Sequence, residues 1–278
     1  MTITLTTDEF HMLSSLIQNE CGITLQEDKK YLIESRLGSL LIETGCSTFS
    51  EFYLKAKTNS DTELKDKIVD AITTNETLWF RDETPFIVLK EKLFPEFYSQ
   101  NTSCRIWSAA CSTGQEPYSI VMAAHEGCGQ HFHQPLESQL SVFATDISLS
   151  ALMQAKNARY NTVAMSRGLS DELKKKYFEE EEQGKTYRLK ENITRFVTFQ
   201  KFNLQMPFDS LGEFNIIFLR NAAIYFSKEF KIELFKKISK SLKPGGYLFI
   251  GASESLIGYS DDFKMLEYNK CRYYQLKD

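Results

Sequence analysis

The stretch Arg105-Ile-Trp-Ser-Ala-Ala-Cys-Ser-Thr-Gly-Gln-Glu-Pro-Tyr-Ser119 decides the fold. Ile106 and Trp107 suit a buried strand, and the small residues Ala109, Ala110, Ser112 and Gly114 let a ligand approach backbone closely. Pro117 fits the first turn of a helix, where a missing N–H costs nothing. Strand, small-residue turn and helix start together describe the carboxyl edge of an open α/β sheet, where nucleotides bind. The turn holds one glycine rather than Gly-x-Gly-x-x-Gly, and Glu116 stands where a pyrophosphate would sit. An acid there opposes a dinucleotide and favours a ligand without phosphates, such as S-adenosylmethionine.

Outward from this block the chain alternates strands and helices. Strands are expected at Arg105–Ala109, Leu140–Thr145, Phe196–Phe202, Phe214–Leu219 and Tyr247–Gly251, with helices near Pro117–Glu126, Leu149–Lys156 and Ser227–Leu242. The alternation implies a parallel sheet covered by helices on both faces. Met265–Tyr268 and Cys271–Leu276 flank Asn269-Lys270 and read as a closing hairpin. A small antiparallel insert is expected at about 177–200, with its turn at Gly184. Its run Glu179–Glu182 reads as a solvated face, because consecutive side chains do not converge on a metal.

Residues 1–75 read as a helical bundle. Thr7 is placed to cap a helix with Phe10, Leu13, Leu16 and Ile17 on one stripe, ended by Cys21-Gly22. Helices follow from about Glu27 to Thr44, from Ser47 or Thr48, and from Asp61 to Ile72. Residues 76–104 form an interdomain linker and helix, and 105–278 the α/β domain. Thr73–Asp82 reads as a linker lying across the ligand crevice, or alternatively as an amphipathic interdomain helix.

Composition narrows the function. The chain has 278 residues, a net charge of −4 and 42% apolar residues, so it gives no electrostatic support to a general nucleic-acid role. No apolar run approaches a membrane span, and the six scattered cysteines suit a reducing, cytoplasmic setting. His131 and His133 lack a Cys or acid at ligand spacing; they read as a polar loop, and no metal is expected.

Two strand ends carry chemistry. Asp146 closes the strand after the helix and can accept the two hydroxyls of a ribose, or cap the next helix. The apolar strand Phe214–Leu219 breaks into Arg220-Asn221, with Tyr225 just beyond. Asn221 can hydrogen-bond a ligand or hold its loop, and the π face of Tyr225 suits a cationic sulfonium or the core.

In these blocks the chain resembles the CheR-type chemotaxis receptor methyltransferases. The matching segments are Thr73–Arg81, Ile106–Ser119, Phe143–Ile147, Asn215–Phe226 and Leu242–Glu254, with Tyr31–Leu37 resembling the second N-terminal helix. The resemblance covers essentially the full length. It implies a Rossmann-like class I methyltransferase sheet with a β insert behind an all-α domain. It also implies an enzyme that methylates glutamate side chains and converts S-adenosyl-L-methionine to S-adenosyl-L-homocysteine. At matched positions it implies cofactor contacts from Asn75, Thr77, Arg81, Ala110, Glu116, Asp146, Asn203, Leu204, Asn221 and Ala222. It implies catalytic roles for Arg81, which would orient the substrate carboxylate, and Tyr225, near the methyl group. Its implied partner is the cytoplasmic helical domain of methyl-accepting chemotaxis receptors, met by a monomer without membrane insertion. A methyltransferase with another substrate and a non-catalytic cofactor-binding module are the competing readings.

Two features depart from the family. Relatives present basic residues on the second N-terminal helix, whereas residues 1–75 here hold seven Lys/Arg against twelve Asp/Glu, with Lys29, Lys30 and Arg36 along that helix. Relatives that dock on a receptor's C-terminal tail peptide carry a longer glycine-rich loop in the insert. The corresponding Glu179–Gly184 is short and acidic, so tail docking is not expected.

Overall fold

The computed structural model describes residues 4–58, 62–128 and 136–277; His131 and His133 lie outside the described residues. Four helices open the chain: α1 (Thr7–Cys21), α2 (Lys30–Glu43), α3 (Phe49–Thr58) and α4 (Thr62–Ile72). The cap of α1 is Thr6 rather than Thr7. Glu9 stands three residues after Thr6, so the Thr6 hydroxyl accepts the Glu9 N–H while the Glu9 carboxylate accepts the Thr6 N–H. Gly22 ends α1 in the left-handed region, as the Cys21-Gly22 pair suggests. Phe10, Leu13, Ile17, Ile33, Leu37, Leu41, Phe52 and Ile68 fill the bundle's own core. Glu9 is itself buried, and its other oxygen accepts the backbone N–H and hydroxyl of Ser50 on α3.

Residues 73–83 are neither helix nor strand, so the amphipathic-helix reading of this linker does not hold. They form a strap that ends in a tight turn over 79–83, followed by helical turns over Thr84–Val88, Leu89–Leu93 and Phe94–Ser99. The middle turn widens to i→i+5 spacing just before Pro95, whose ring has no N–H to give to residue 91 and crowds that carbonyl.

The α/β domain is built on a seven-stranded sheet. Its strands are β1 (Cys104–Ala109), β2 (Leu140–Asp146), β6 (Val197–Lys201), β7 (Phe214–Leu219), β8 (Leu242–Ile250), β9 (Phe263–Tyr268) and β10 (Cys271–Leu276). Their order is β6-β2-β1-β7-β8-β10-β9, parallel through β8 and antiparallel for the last two. All six residues of β7 are buried, as a central parallel strand covered on both faces requires. The β9–β10 hairpin turns at Asn269 (φ 47°) and Lys270 (φ 63°), the left-handed pair a two-residue hairpin needs.

Two expected elements are displaced. The long helix ends at Lys240, and Leu242 begins β8 opposite Phe214 rather than closing the helix. Lys243-Pro-Gly-Gly246 is then a bulge inside β8, where pairing jumps from Phe214↔Leu242 to Ile216↔Tyr247. The insert also starts and ends earlier than 177–200. It is a separate antiparallel sheet, ordered β3-β5-β4, of β3 (Arg159–Asn161), β4 (Phe178–Glu181) and β5 (Thr186–Leu189). The run after Ile193, expected partly within the insert, supplies a short helix and then edge strand β6 of the main sheet. Three of the four glutamates lie on β4. Glu181 pairs with Arg159 (2.9 Å) and Arg188 (3.1 Å), and Glu179 pairs with Arg188, so the acidic run is partly neutralised across the strands.

Candidate active site

The order of the parallel strands reverses between β1 and β7: the chain steps outward from β1 to β2 and β6, then returns to the other side of β1. The loops leaving the carboxyl ends of β1 and β7 therefore diverge and open a crevice. A pocket of about 920 Å³, counted to its open mouth, lies there. Ala110–Ser112 and Glu116 line it from β1, Asp146 and Ile147 from β2, Phe202–Leu204 from the end of β6, and Arg220–Ala222 with Tyr225 from β7. The strap closes it with Thr73–Thr77 and Arg81. All the candidate residues read from the sequence converge here.

The β1 loop is a cradle of backbone. Ala110 (φ 59°), Ser112 (φ 51°) and Gly114 (φ 91°) take left-handed conformations. A Cβ on Gly114 would lie 2.9 Å from the Ala155 side chain, so only glycine fits between the loop and the helix after β2. Asp146 holds this cradle. One of its oxygens accepts the Ser112 N–H at 2.7 Å and the other the Ser148 N–H at 2.9 Å. The cap of the following helix is Ser148, not Asp146. Burial raises the Asp146 pKa above its ordinary 3.8, against the opposing pull of the Ser148, Ser112 and Ile147 N–H groups. Burial likewise pushes the Cys111 thiol well above its usual range.

Glu116 is buried beneath the cradle. Its Oε1 accepts the Ser108 hydroxyl at 2.8 Å, and its Oε2 accepts Arg220 Nη1 at 2.9 Å. Beyond β7, Asn221 sits at φ 58°, with its N–H on Glu254 Oε2 at 2.7 Å. The same Glu254 oxygen accepts the Gly251 N–H. Asn221 lines the pocket, and its Oδ1 is buried without a hydrogen-bond partner.

The two domains meet at the pocket. Ile23 pairs with Phe226 in an antiparallel bridge, and the Thr24 N–H reaches the Tyr225 carbonyl at 2.9 Å. Asn203 Nδ2 donates to the Glu20 carbonyl at the end of α1 at 2.8 Å. Cys21 and Ile23 consequently line the pocket, a contribution no local pattern in the sequence announces. The strap is fixed at both ends. Arg36 on α2 donates to the carbonyls of Ile72 and Thr73 and to the Thr74 hydroxyl, so this cation faces the strap. Asn75 places its carbonyl on the Ser112 hydroxyl at 2.9 Å. Trp79 is fully buried against Tyr160 and Phe178 of the insert, and a Cβ on Gly168 would strike the Trp79 carbonyl at 1.9 Å. Arg81 reaches the pocket with one hydrogen bond, to the Glu76 carbonyl at 3.1 Å.

Sequence reasoning passed over two residues here. Arg220 was visible only as a polar break after an apolar strand, and Glu254 only as the last residue of a matched block. No histidine among the described residues lines the pocket.

Comparison with known proteins now decides the family. Residues 8–73 match the model for the all-alpha domain of CheR methyltransferases, and residues 75–272 match the CheR methyltransferase SAM binding domain. The chain belongs to the CheR methyltransferase family. It is 42% identical over 275 residues to the chemotaxis protein methyltransferase of Vibrio anguillarum, covering 99% of each chain. It is also 42% identical to chemotaxis protein methyltransferase Cher2 of Pseudomonas putida, over 97% of this chain and 98% of that one. A third relative, from Borreliella burgdorferi, is 36% identical over 96% of this chain and 94% of its own length. The chain is thus an S-adenosylmethionine-dependent methyltransferase that modifies glutamate side chains of chemotaxis receptors. An all-α domain followed by a mostly parallel sheet with a small antiparallel insert is the fold class the sequence implied, the bounds of the insert excepted. Among the described residues no helix is long and apolar enough to cross a membrane.

Proposed function

We propose that the crevice between β1 and β7 binds S-adenosylmethionine, and that the strap delivers the receptor carboxylate to it through Arg81. The convergence of the β1, β2, β6 and β7 strand-end residues and the strap on one crevice carries this reading. Asn221 stands on its wall with a buried Oδ1 that has no protein partner, so a rotation of the amide toward the pocket would let it accept a ligand N–H. The remaining donors and acceptors fit the same ligand. Asp146 keeps acceptor capacity for ribose hydroxyls beyond its bonds to backbone N–H groups, since a carboxylate offers about four lone-pair sites. Phe202 and Leu204 offer an apolar surface to a base, with Asn203 anchored beside them. Ala110, Ala222, Asn75, Thr77 and Glu116 complete the wall.

The bound cofactor supplies a methyl group on an electron-poor sulfonium. The chain's task is to hold an anion against it. A glutamate side chain has an ordinary pKa near 4.3 and is already ionised at neutral pH, so no general base is needed. Arg81 provides a planar fork that directs the carboxylate by charge-assisted hydrogen bonds. Tyr225, half-buried on the pocket wall, presents its ring to the methyl-transfer position.

The receptor's cytoplasmic helical domain meets the N-terminal bundle directly. With Arg36 committed to the strap, α2 and its preceding residue Lys29 offer Lys29, Lys30 and the exposed apolar side chains of Tyr31 and Ile42 to that surface. The enzyme acts as a cytoplasmic monomer and does not dock on a receptor tail peptide. The insert's turn supports the absence of tail docking: it is confined to Glu182–Lys185, four residues where the sequence suggests the six of Glu179–Gly184, and it retains an acid. Incubation of the full-length enzyme with methyl-labelled cofactor and receptor-bearing membranes should give base-labile label on receptor glutamates. Label that resists base, or that appears on other proteins only, overturns the substrate assignment. Calorimetric titration with tail peptides should show no micromolar binding.

A further inference from the structure

Arg220 is the first residue after β7, and its side chain is only 1% exposed. Its Nη1 donates to Glu116 Oε2 at 2.9 Å. Its Nη2 donates to Asp82 Oδ2 at 2.7 Å and to the backbone carbonyl of Arg81 at 2.6 Å. Glu116 is secured in turn by Ser108 on β1. One guanidinium thus ties the two central strands of the sheet to the strap residue immediately before and after the peptide bond that follows Arg81.

That segment needs an external clasp. Phe80 (φ 47°), Asp82 (φ 65°) and Glu83 (φ 46°) are non-glycine residues in the left-handed region, a conformation that persists only where surrounding structure imposes it. Within the turn, the Glu83 N–H reaches the Phe80 carbonyl, and the Phe80 N–H reaches the Ser119 hydroxyl. Neither bond fixes Arg81 itself. The Arg81 guanidinium has its one hydrogen bond to the carbonyl of Glu76, also on the strap. Its aim therefore follows from where its backbone is held.

We propose that Arg220 is a positioning residue for methyl transfer: it locks the Arg81 backbone to the β1–β7 crevice, and so sets the direction of the Arg81 guanidinium toward the substrate carboxylate. The inference rests on the reading of Arg81 given above. The planar fork is essential to it. A lysine at position 220 places one ammonium where two nitrogens now serve three acceptors, and it cannot reach the sheet acid and the strap together.

The test uses the full-length enzyme with Arg220→Lys, Asp82→Asn, Arg81→Ala and the double variant Asp82→Asn/Arg81→Ala. Asp82 is a third exposed, so its isosteric variant keeps the test valid if Arg220→Lys fails to fold. Three quantities are read: thermal midpoint, affinity for S-adenosylhomocysteine by calorimetry, and single-turnover methylation of receptor membranes at saturating cofactor. Both Asp82→Asn and Arg220→Lys should slow turnover by about tenfold or more, the scale of a misplaced catalytic group, with affinity for S-adenosylhomocysteine changed by less than about threefold. In the Arg81→Ala background, Asp82→Asn should add less than about a twofold further loss, because its effect passes through Arg81. An equal loss of affinity and turnover would make Arg220 a ligand-binding residue and overturn the proposal. Additive losses in the double variant would overturn it in favour of a structural role. If Arg81→Ala is slow while Asp82→Asn turns over normally, this inference alone fails; normal turnover in Arg81→Ala removes the reading of Arg81 and this inference with it.

Discussion

The two walls of the pocket are made differently. The sheet wall consists of strand ends and the buried side chains that bind them to one another: Asp146 to Ser112 and Ser148, Glu116 to Ser108, Glu254 to Asn221 and Gly251. It is held by the hydrogen-bonded core of the α/β domain. The strap wall has no secondary structure of its own between residues 73 and 83. It hangs from Arg36 at one end and Arg220 at the other, and it is braced by Trp79 against the insert. In the proposed function, cofactor contacts belong mainly to the first wall and substrate contacts to the second. The difference teaches that substitutions on the sheet wall should act on cofactor affinity. Substitutions on the strap, or on what suspends it, should act on turnover with affinity nearly intact.

The sharpest way to break this division is Arg81→Ala. It should lower single-turnover rates by about 10²-fold or more, with a much smaller change in cofactor affinity. A calorimetric loss of affinity as large as the kinetic loss would merge the two walls into one. Next in size is Asp146→Asn, which should weaken cofactor binding by about tenfold or more, since hydrogen bonds to a charged acceptor are worth about 1.5–3 kcal/mol each. The raised pKa of Asp146 adds a pH signature. Binding through donated hydroxyls favours the ionised carboxylate, so wild-type affinity should fall as pH drops through the raised value, and Asp146→Asn should flatten that fall. The same shift acts on stability with the opposite sense. The folded protein keeps this proton to a higher pH than the unfolded chain, so the contribution is present below 3.8 and is lost as pH rises through the folded value.

A third experiment probes the domain from which the strap hangs. Burial raises the Glu9 pKa, but hydrogen bonds from Thr6 and Ser50 outweigh it and leave the carboxyl below its ordinary 4.5. Its stabilisation is therefore present above that value and lost as pH falls through the lowered one. Glu9→Gln should cost about 1–2 kcal/mol at pH 7 and shrink the acid-side loss of stability, seen by denaturant titration across pH. Cofactor affinity of the folded protein should not change; a marked change would show that the bundle supports the sheet wall as well.

Much of this division was legible in the sequence, because its parts are local. The strand, turn and helix of Arg105–Ser119, the acid at Asp146 and the polar break after Leu219 each reveal themselves within one element. What escaped depends on residues far apart in the chain. The pocket contributions of Cys21 and Ile23 follow from the pairing of Ile23 with Phe226, two hundred positions away. Arg220 gains its meaning from Asp82 and Glu116, and no spacing in the sequence couples these. The insert departs from its expected bounds for a different reason. Its strand β3 is three residues long, too short to show alternation, whereas the stronger apolar pattern around Val197–Phe199 belongs to the main sheet. Leu242 reads as helical because it continues the apolar stripe of Phe235 and Ile238, and pairing with Phe214 overrides that stripe.

Arg36 provides the mildest and most diagnostic test of the two-wall picture. It lies on α2, the helix proposed above to face the receptor, so its loss would ordinarily be assigned to receptor binding. Here its guanidinium reaches the carbonyls of Ile72 and Thr73 and the hydroxyl of Thr74, all at the strap's origin, and Thr73 and Thr74 line the pocket. Removing it frees strap carbonyls that water can reach, so the net loss should be about that of one ordinary hydrogen bond, about 0.5–1.5 kcal/mol. Arg36→Ala should accordingly slow single turnover by about two- to tenfold at saturating receptor, with cofactor affinity unchanged. A cation that served docking would behave otherwise: its loss would raise the receptor concentration needed for half-maximal rate, that increase would vanish at high salt, and the saturated rate would stay intact. Arg36→Lys separates the cases further. A lysine preserves the charge that a docking surface needs, but it cannot span two carbonyls and a hydroxyl as a planar fork does, so it should leave the saturated rate nearly as slow as alanine does.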